Sequence, residues 1–145
     1  MKYIILKVIE PYKLDYHKFL DGIEKYKRNI EEMYNPKFGV KILATAAPSC
    51  YSDIIAKKER FDICLGTKFP IKLYNTDYEN KGEVKKKNVF QYLKSVGGQH
   101  IDTLVTDHLD DLPLINMAIN NIIYNPTQFM KEELSTNAIP YKSRI

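Results

Sequence analysis

Tryptophan is absent, cysteine occurs twice and histidine three times in 145 residues, scarcities that close several routes to function before any motif is read. Cys50 and Cys64 stand singly inside otherwise ordinary stretches and not at the spacing of a zinc site, so reduced, buried thiols are expected rather than a disulfide framework or a metal knuckle. The six glycines and seven prolines are scattered, which excludes collagen-like, linker-like and low-complexity architecture. No long apolar run exists. Met1 to Ile9 is interrupted by Lys2 and Lys7, is too short to span a bilayer and lacks a small-residue cleavage site, so a cytoplasmic location without a membrane partner is expected. The eleven tyrosines are spread along the chain instead of lining one basic face, which argues against nucleic-acid binding.

What is present is a hydrophobic fraction of 44%, enough to bury one core, and the length predicts a single domain over residues 1–145. The formal charge of +4 has its clearest cluster in Lys81 and Lys85-Lys86-Lys87, either a solvated helix face or the footprint of a phosphorylated or other anionic ligand.

Patterning predicts strands alternating with helices. Tyr3 to Ile9 is rich in β-branched and aromatic residues and reads as a strand closed by Pro11. From Asp15 to Tyr34, Phe19, Ile23, Tyr26, Ile30 and Met33 form one helical stripe. Val40 to Ala44 reads as a buried strand, Thr45 to Pro48 as a turn, and Tyr51 to Lys58 as a helix. Phe61 to Leu65 is a further strand, and Gly66 to Lys81 an irregular excursion. A helix over Glu83 to Val96, with Val89, Tyr92, Leu93 and Val96 inward, is terminated by Gly97-Gly98. Ile101 to Thr106 is the next strand, Pro113 suits the first turn of a helix, Asn121 to Tyr124 is a strand, and Asn125-Pro126 leads into a helix ending near Leu134. Ala138 to Lys142 reads as an edge strand, and no internal repeat is visible. Such alternation predicts an α/β fold, a parallel sheet with helices on both faces, which presents ligands beyond the carboxyl ends of its strands.

Three segments at such ends carry chemistry. Asp107 and Asp111, four apart after the Ile101 to Thr106 strand, are hard oxygen ligands suited to Mg²⁺, or else caps for the helix at Pro113. Thr45 ends a buried strand, where a hydroxyl either contacts a phosphoryl oxygen or caps a helix. Lys85 lies near a helix start, where the dipole disfavours a cation, and this points to an anionic partner.

In order and separation these segments resemble the haloacid dehalogenase superfamily, in particular its phosphoserine-phosphatase-like branch. Leu43 to Pro48 with Tyr51, Phe61-Asp62 and Leu65-Gly66-Thr67 is similar to the second motif and its following strand. Gly82-Glu83-Val84-Lys85 with Val89 is similar to the third motif, and Asp107 to Leu114 to the fourth, with Asn125-Pro126 following. The resemblance runs from about Phe19 to the C-terminus and implies a Rossmannoid, Mg²⁺-dependent phosphomonoester phosphatase core. Thr45 and Ala46 would contact phosphate, Lys85 would neutralise it, and Asp107 would hold Mg²⁺ with Asp111 as ligand or supporting group. His108 stands where the family often has Ser and is expected to face solvent. The family's opening Asp-x-Asp, nucleophile and general acid-base, has no counterpart, since no two aspartates are separated by one residue.

Residues 1–14 are then either a cap remnant or a substitute first strand of an incomplete or capless core. Two functions follow. One is a truncated phosphohydrolase core, inactive alone and completed by an N-terminal segment from elsewhere or by a homo-oligomer. The other is a non-catalytic module of the same fold that binds a phosphorylated small molecule or a protein.

Overall fold

The computed structural model describes residues 2–71, 75 and 77–145; the remaining positions of the Gly66 to Lys81 excursion lie outside the described residues. The chain divides into two compact units, Met1–Asn80 and Lys81–Ile145.

In the first unit, α1 (Lys2–Ile9) replaces the strand expected over Tyr3 to Ile9. This correction removes the substitute first strand from the two accounts of residues 1–14. Helical spacing is what fits the contacts. Lys2 and Leu6, four apart, point inward: the Lys2 ammonium donates to the Ala46 carbonyl at 2.8 Å and pairs with Glu79, while Leu6 is buried. Tyr3 meets Tyr78 edge to face, with ring centroids 5.7 Å apart. The β-branched Ile4, Ile5 and Val8, which suggested a strand, are exposed. Composition is a weak guide when tertiary contacts override it.

The helix expected over Asp15 to Tyr34 is also corrected. α2 (Tyr16–Ile23) starts on Asp15, whose carboxylate accepts from the Lys18 amide at 3.0 Å. It passes into a 3-10 turn at Glu24–Tyr26 and stops where Lys27 turns extended; a second 3-10 turn spans Glu31–Tyr34. Only Leu20 of α2 is buried, and Phe19, Ile23 and Tyr26 of the expected stripe are exposed, so the stripe lacks the packing that carries a helix onward. Glu24 and Lys27 instead reach Lys58 at 2.8 Å and Glu59 at 2.5 Å.

β1 (Ile42–Pro48) and β2 (Ile63–Thr67) form a two-stranded parallel sheet, joined through α3 (Ser49–Lys58). β1 runs through the stretch expected to be a turn. Ala44 faces Leu65 and Pro48 faces Thr67, so Thr45, Ala46 and Ala47 lie opposite Gly66 alone. α3 turns small residues, Ser52 and Ala56, to its buried side, and Gly66 receives it. A Cβ built on Gly66 would stand 2.6 Å from Ser52 Oγ and 3.0 Å from the Ala47 carbonyl oxygen. Gly66→Ala is therefore expected to cost about 1–3 kcal/mol through overpacking, read as a lower urea midpoint at unchanged m-value.

The second unit opens with α4 (Gly82–Ser95), whose buried positions Lys85, Val89 and Leu93 recur every four residues. Tyr92 is half-buried, and Val96, expected inward, is exposed beyond the helix end. Gly97 takes φ +77, a left-handed conformation that costs glycine little, and the Gly98 amide donates to the Leu93 carbonyl at 2.8 Å. β3 (Ile101–Thr106), β4 (Ala118–Tyr124) and β5 (Lys142–Arg144) make a parallel sheet in the order β3-β4-β5. β5 begins only at Lys142, the last residue of the stretch expected as an edge strand, because Ala138 adopts positive φ and Pro140 has no N–H to donate to a ladder. Between β3 and β4 lie a 3-10 turn (Leu109–Asp111) and the short α5 (Leu112–Ile115); α6 (Gln128–Thr136) connects β4 to β5. Ile115, Ile123, Met130 and Leu134 form the core, with Leu104, Leu109, Leu112, Ile139 and Tyr141 against it. The architecture is α/β with parallel sheets and flanking helices. Among the described residues no helix is long and apolar enough to cross a membrane.

Candidate functional site

The carboxyl end of β3 gathers the polar groups of the second unit. Ile101, Leu104 and Val105 are half-buried apolar positions of the strand, Asp102 is exposed, and the strand ends on Thr106, a buried hydroxyl. The chain then bends at the exposed Asp107 and His108 before the 3-10 turn. His108 starts that turn: its Nδ1 accepts from the Asp110 amide at 3.1 Å, and its carbonyl accepts from the Asp111 amide at 3.2 Å. The ring itself is exposed, as expected of that position.

The turn carries Asp111 inward. Its Oδ1 faces Lys85 Nζ and its Oδ2 accepts from Thr106 Oγ1 at 2.6 Å, while Thr106 Oγ1 accepts from the His108 amide at 3.2 Å. Lys85 is 7% exposed, Thr106 8%, and the Asp111 side chain 13%. A lysine this deep in a protein requires a counter-charge, because the desolvation of an isolated ammonium is far larger than the stability of a domain. The anion that Lys85 calls for from its place in the first turn of α4 is thus met inside the chain, by Asp111.

The expected site residues therefore separate by environment. Lys85 and Asp111 are brought together. Asp107 stands at the surface of the same loop, and its carboxylate has the solvent access that Asp111, engaged at both oxygens, lacks. For Mg²⁺ this arrangement suits Asp107, since that ion is held by one or two carboxylates with several waters retained. Among the described residues no group of three or more His, Cys, Asp or Glu side chains is placed to hold a metal.

Thr45 and Ala46 belong to the first unit, where their polar groups serve the β1-β2 layer. Thr45 Oγ1 accepts from the Ala47 amide at 3.1 Å, and the Ala46 carbonyl accepts from Thr67 Oγ1 at 2.8 Å as well as from Lys2. Asn80, only 2% exposed, donates through Nδ2 to the Thr45 carbonyl at 3.1 Å and to the Leu65 carbonyl, while its amide donates to Thr67 Oγ1 at 3.1 Å. Asn80 and Thr67 thus clamp the carboxyl ends of both strands. Asn80→Ala would leave two partly buried carbonyls without that donor and is expected to cost about 1–3 kcal/mol, measurable as a drop in thermal midpoint and faster amide exchange at Thr45 to Ala47.

Thr106, Thr67 and Asn80 were not singled out by the residue patterns. Thr106 carries the same signal as Thr45, a hydroxyl closing a buried strand; Asn80 sits in a polar stretch that gives no sign of burial. Cys50 and Cys64 are both free and half-buried, and burial pushes both thiols up, away from the thiolate a nucleophile needs.

No family model matches the chain, and no curated protein matches it. Among solved structures, the crystal structure of a protein with unknown function from Bordetella pertussis Tohama I is similar, with a TM-score of 0.75 and 16% sequence identity, covering 97% of this chain and 71% of that chain. At that identity the likeness speaks for the fold alone, an α/β arrangement of parallel sheets flanked by helices, of generic Rossmannoid kind.

Proposed function

We propose that the chain is a non-catalytic phospholigand-binding module of the haloacid-dehalogenase kind, with Lys85 as the anion-binding group and Asp107 as the residue that would hold Mg²⁺. The observation that carries this reading is the buried Lys85 ammonium at the carboxyl end of β3, aligned by Asp111 and Thr106. An ammonium has three donors, and one faces Asp111 Oδ1. A phosphate oxygen is a strong partner for another, because charge-assisted hydrogen bonds are the strong ones. Mg²⁺ at Asp107 would supply further positive charge to the same ligand. The absence of Asp-x-Asp supports a binding role over turnover, since no two aspartates have that spacing to attack phosphorus and shuttle the proton.

The test is an inorganic phosphate titration of the ¹⁵N-labelled chain, alongside Mg²⁺-dependent hydrolysis of p-nitrophenyl phosphate by the wild type and Asp107→Asn. Shifts at the amides of Lys85 and Thr106 to Asp111, without turnover, are expected. Unmoved amides would refute the phospholigand, and turnover that Asp107→Asn abolishes would refute the non-catalytic role.

A second reading, a phosphohydrolase core completed by a separate N-terminal segment, is favoured by β3 standing, among the described residues, at the edge of its sheet. A parallel strand is ordinarily flanked and covered, and an open edge can accept a strand. Addition of an Asp-x-Asp-bearing segment that restores hydrolysis would favour this reading over the first.

A further inference from the structure

An ammonium that already faces a carboxylate offers an incoming anion little net charge. Asp111 is also well fastened. Lys85 Nζ holds one oxygen, Thr106 Oγ1 holds the other at 2.6 Å, and the His108 amide and carbonyl fix Thr106 and the turn at 3.2 Å each. Displacing the carboxylate would break several of these bonds at once. We propose that Asp111 is a built-in competitor for the phosphate site, an internal anion whose charge sets how strongly Lys85 binds an external one. This rests on the phospholigand reading above and adds to it a control of affinity.

A phosphate on Lys85 would place a second negative charge roughly 4–6 Å from Asp111. Like charges at that separation, at an effective dielectric of roughly 30–40, between that of a protein surface and that of water, weaken binding by roughly 10- to 100-fold. Asp111→Asn keeps the shape and an oxygen that can accept from Thr106, but removes the charge. It also leaves the buried Lys85 ammonium in need of an anion, so phosphate should stabilise the variant more than it stabilises the wild type.

The experiment is phosphate titration of wild type, Asp111→Asn and Asp102→Asn in buffer free of divalent cations, read by amide shifts and by thermal midpoint. Asp111→Asn is expected to bind phosphate roughly 10- to 100-fold more tightly. Asp102→Asn, which removes an exposed charge at the other end of β3, is expected to stay within about threefold of the wild type. Wild-type binding with equal or weaker binding by Asp111→Asn overturns the competitor role and leaves the phospholigand reading intact. Binding by neither protein overturns both. If Asp111→Asn does not fold in phosphate-free buffer, refolding on addition of phosphate supports the proposal and failure to refold at saturating phosphate overturns it.

Discussion

Lys85→Met is expected to destabilise the protein by about 3–5 kcal/mol, because it removes the ammonium and leaves the Asp111 carboxylate largely buried beside an apolar side chain. Methionine fills nearly the same volume, so the loss is one of charge pairing rather than packing. The companion variant separates the two. Asp111→Asn placed in the Lys85→Met background removes the stranded charge while keeping an oxygen for Thr106, and most of the lost stability should return. Urea unfolding of the four proteins of this cycle gives the coupling directly. A double variant no more stable than Lys85→Met alone would show that the pair contributes through packing and not through charge.

Both members of that pair were visible in the amino-acid sequence, yet their pairing was not. Lys85 stood out because a cation near a helix N-terminus opposes the dipole, and Asp111 because it follows a buried strand; 26 positions separate them, and residue patterns carry no long-range register. Elements whose burial is set by local periodicity were legible. Ile101 to Thr106 is a strand with those bounds, bracketed by the glycine-terminated α4 and the bend at Asp107. α3 and α4 likewise fall within two residues of expectation. The N-terminal third behaved differently. Ile4, Ile5, Val8 and Ile9 have strand-like composition, but α1 is fixed by the burial of Leu6 and by Lys2 and Tyr3, whose partners Ala46, Glu79 and Tyr78 lie far along the chain. The Asp15 to Tyr34 stripe has good helical spacing and still breaks, because a stripe predicts a helix only where a surface exists to receive it. Thr45 was placed one element late for a related reason: Asn80 and Thr67 take up the carbonyls of Thr45 and Ala46 and keep that stretch extended as strand.

Leu134→Ala is the packing counterpart of the Lys85 variant and is expected to cost about 2–5 kcal/mol. Leu134 is 0% exposed and packs with Ile115, Ile123 and Met130, residues drawn from α5, β4 and α6. Truncation deletes three carbon atoms from the side chain and leaves a cavity whose lining, the stiff Ile115 and Ile123 together with Met130, relaxes into it only in part, so the transfer and cavity terms add. Its backbone carbonyl accepts from the Ile139 amide at 2.9 Å, a bond that alanine retains, so the helix end should persist and the loss should read as core packing. The control lies on the same helix. Phe129 is 63% exposed, and Phe129→Ala is expected to stay within about 0.5 kcal/mol despite removing more atoms. Urea midpoints for the two variants decide the matter: comparable losses would mean that α6 does not bury the face on which Met130 and Leu134 lie, whereas a large loss at Leu134 alone identifies the Ile123-Leu134 layer as what holds β4 in register behind the β3 loop that carries Asp107 and Asp111.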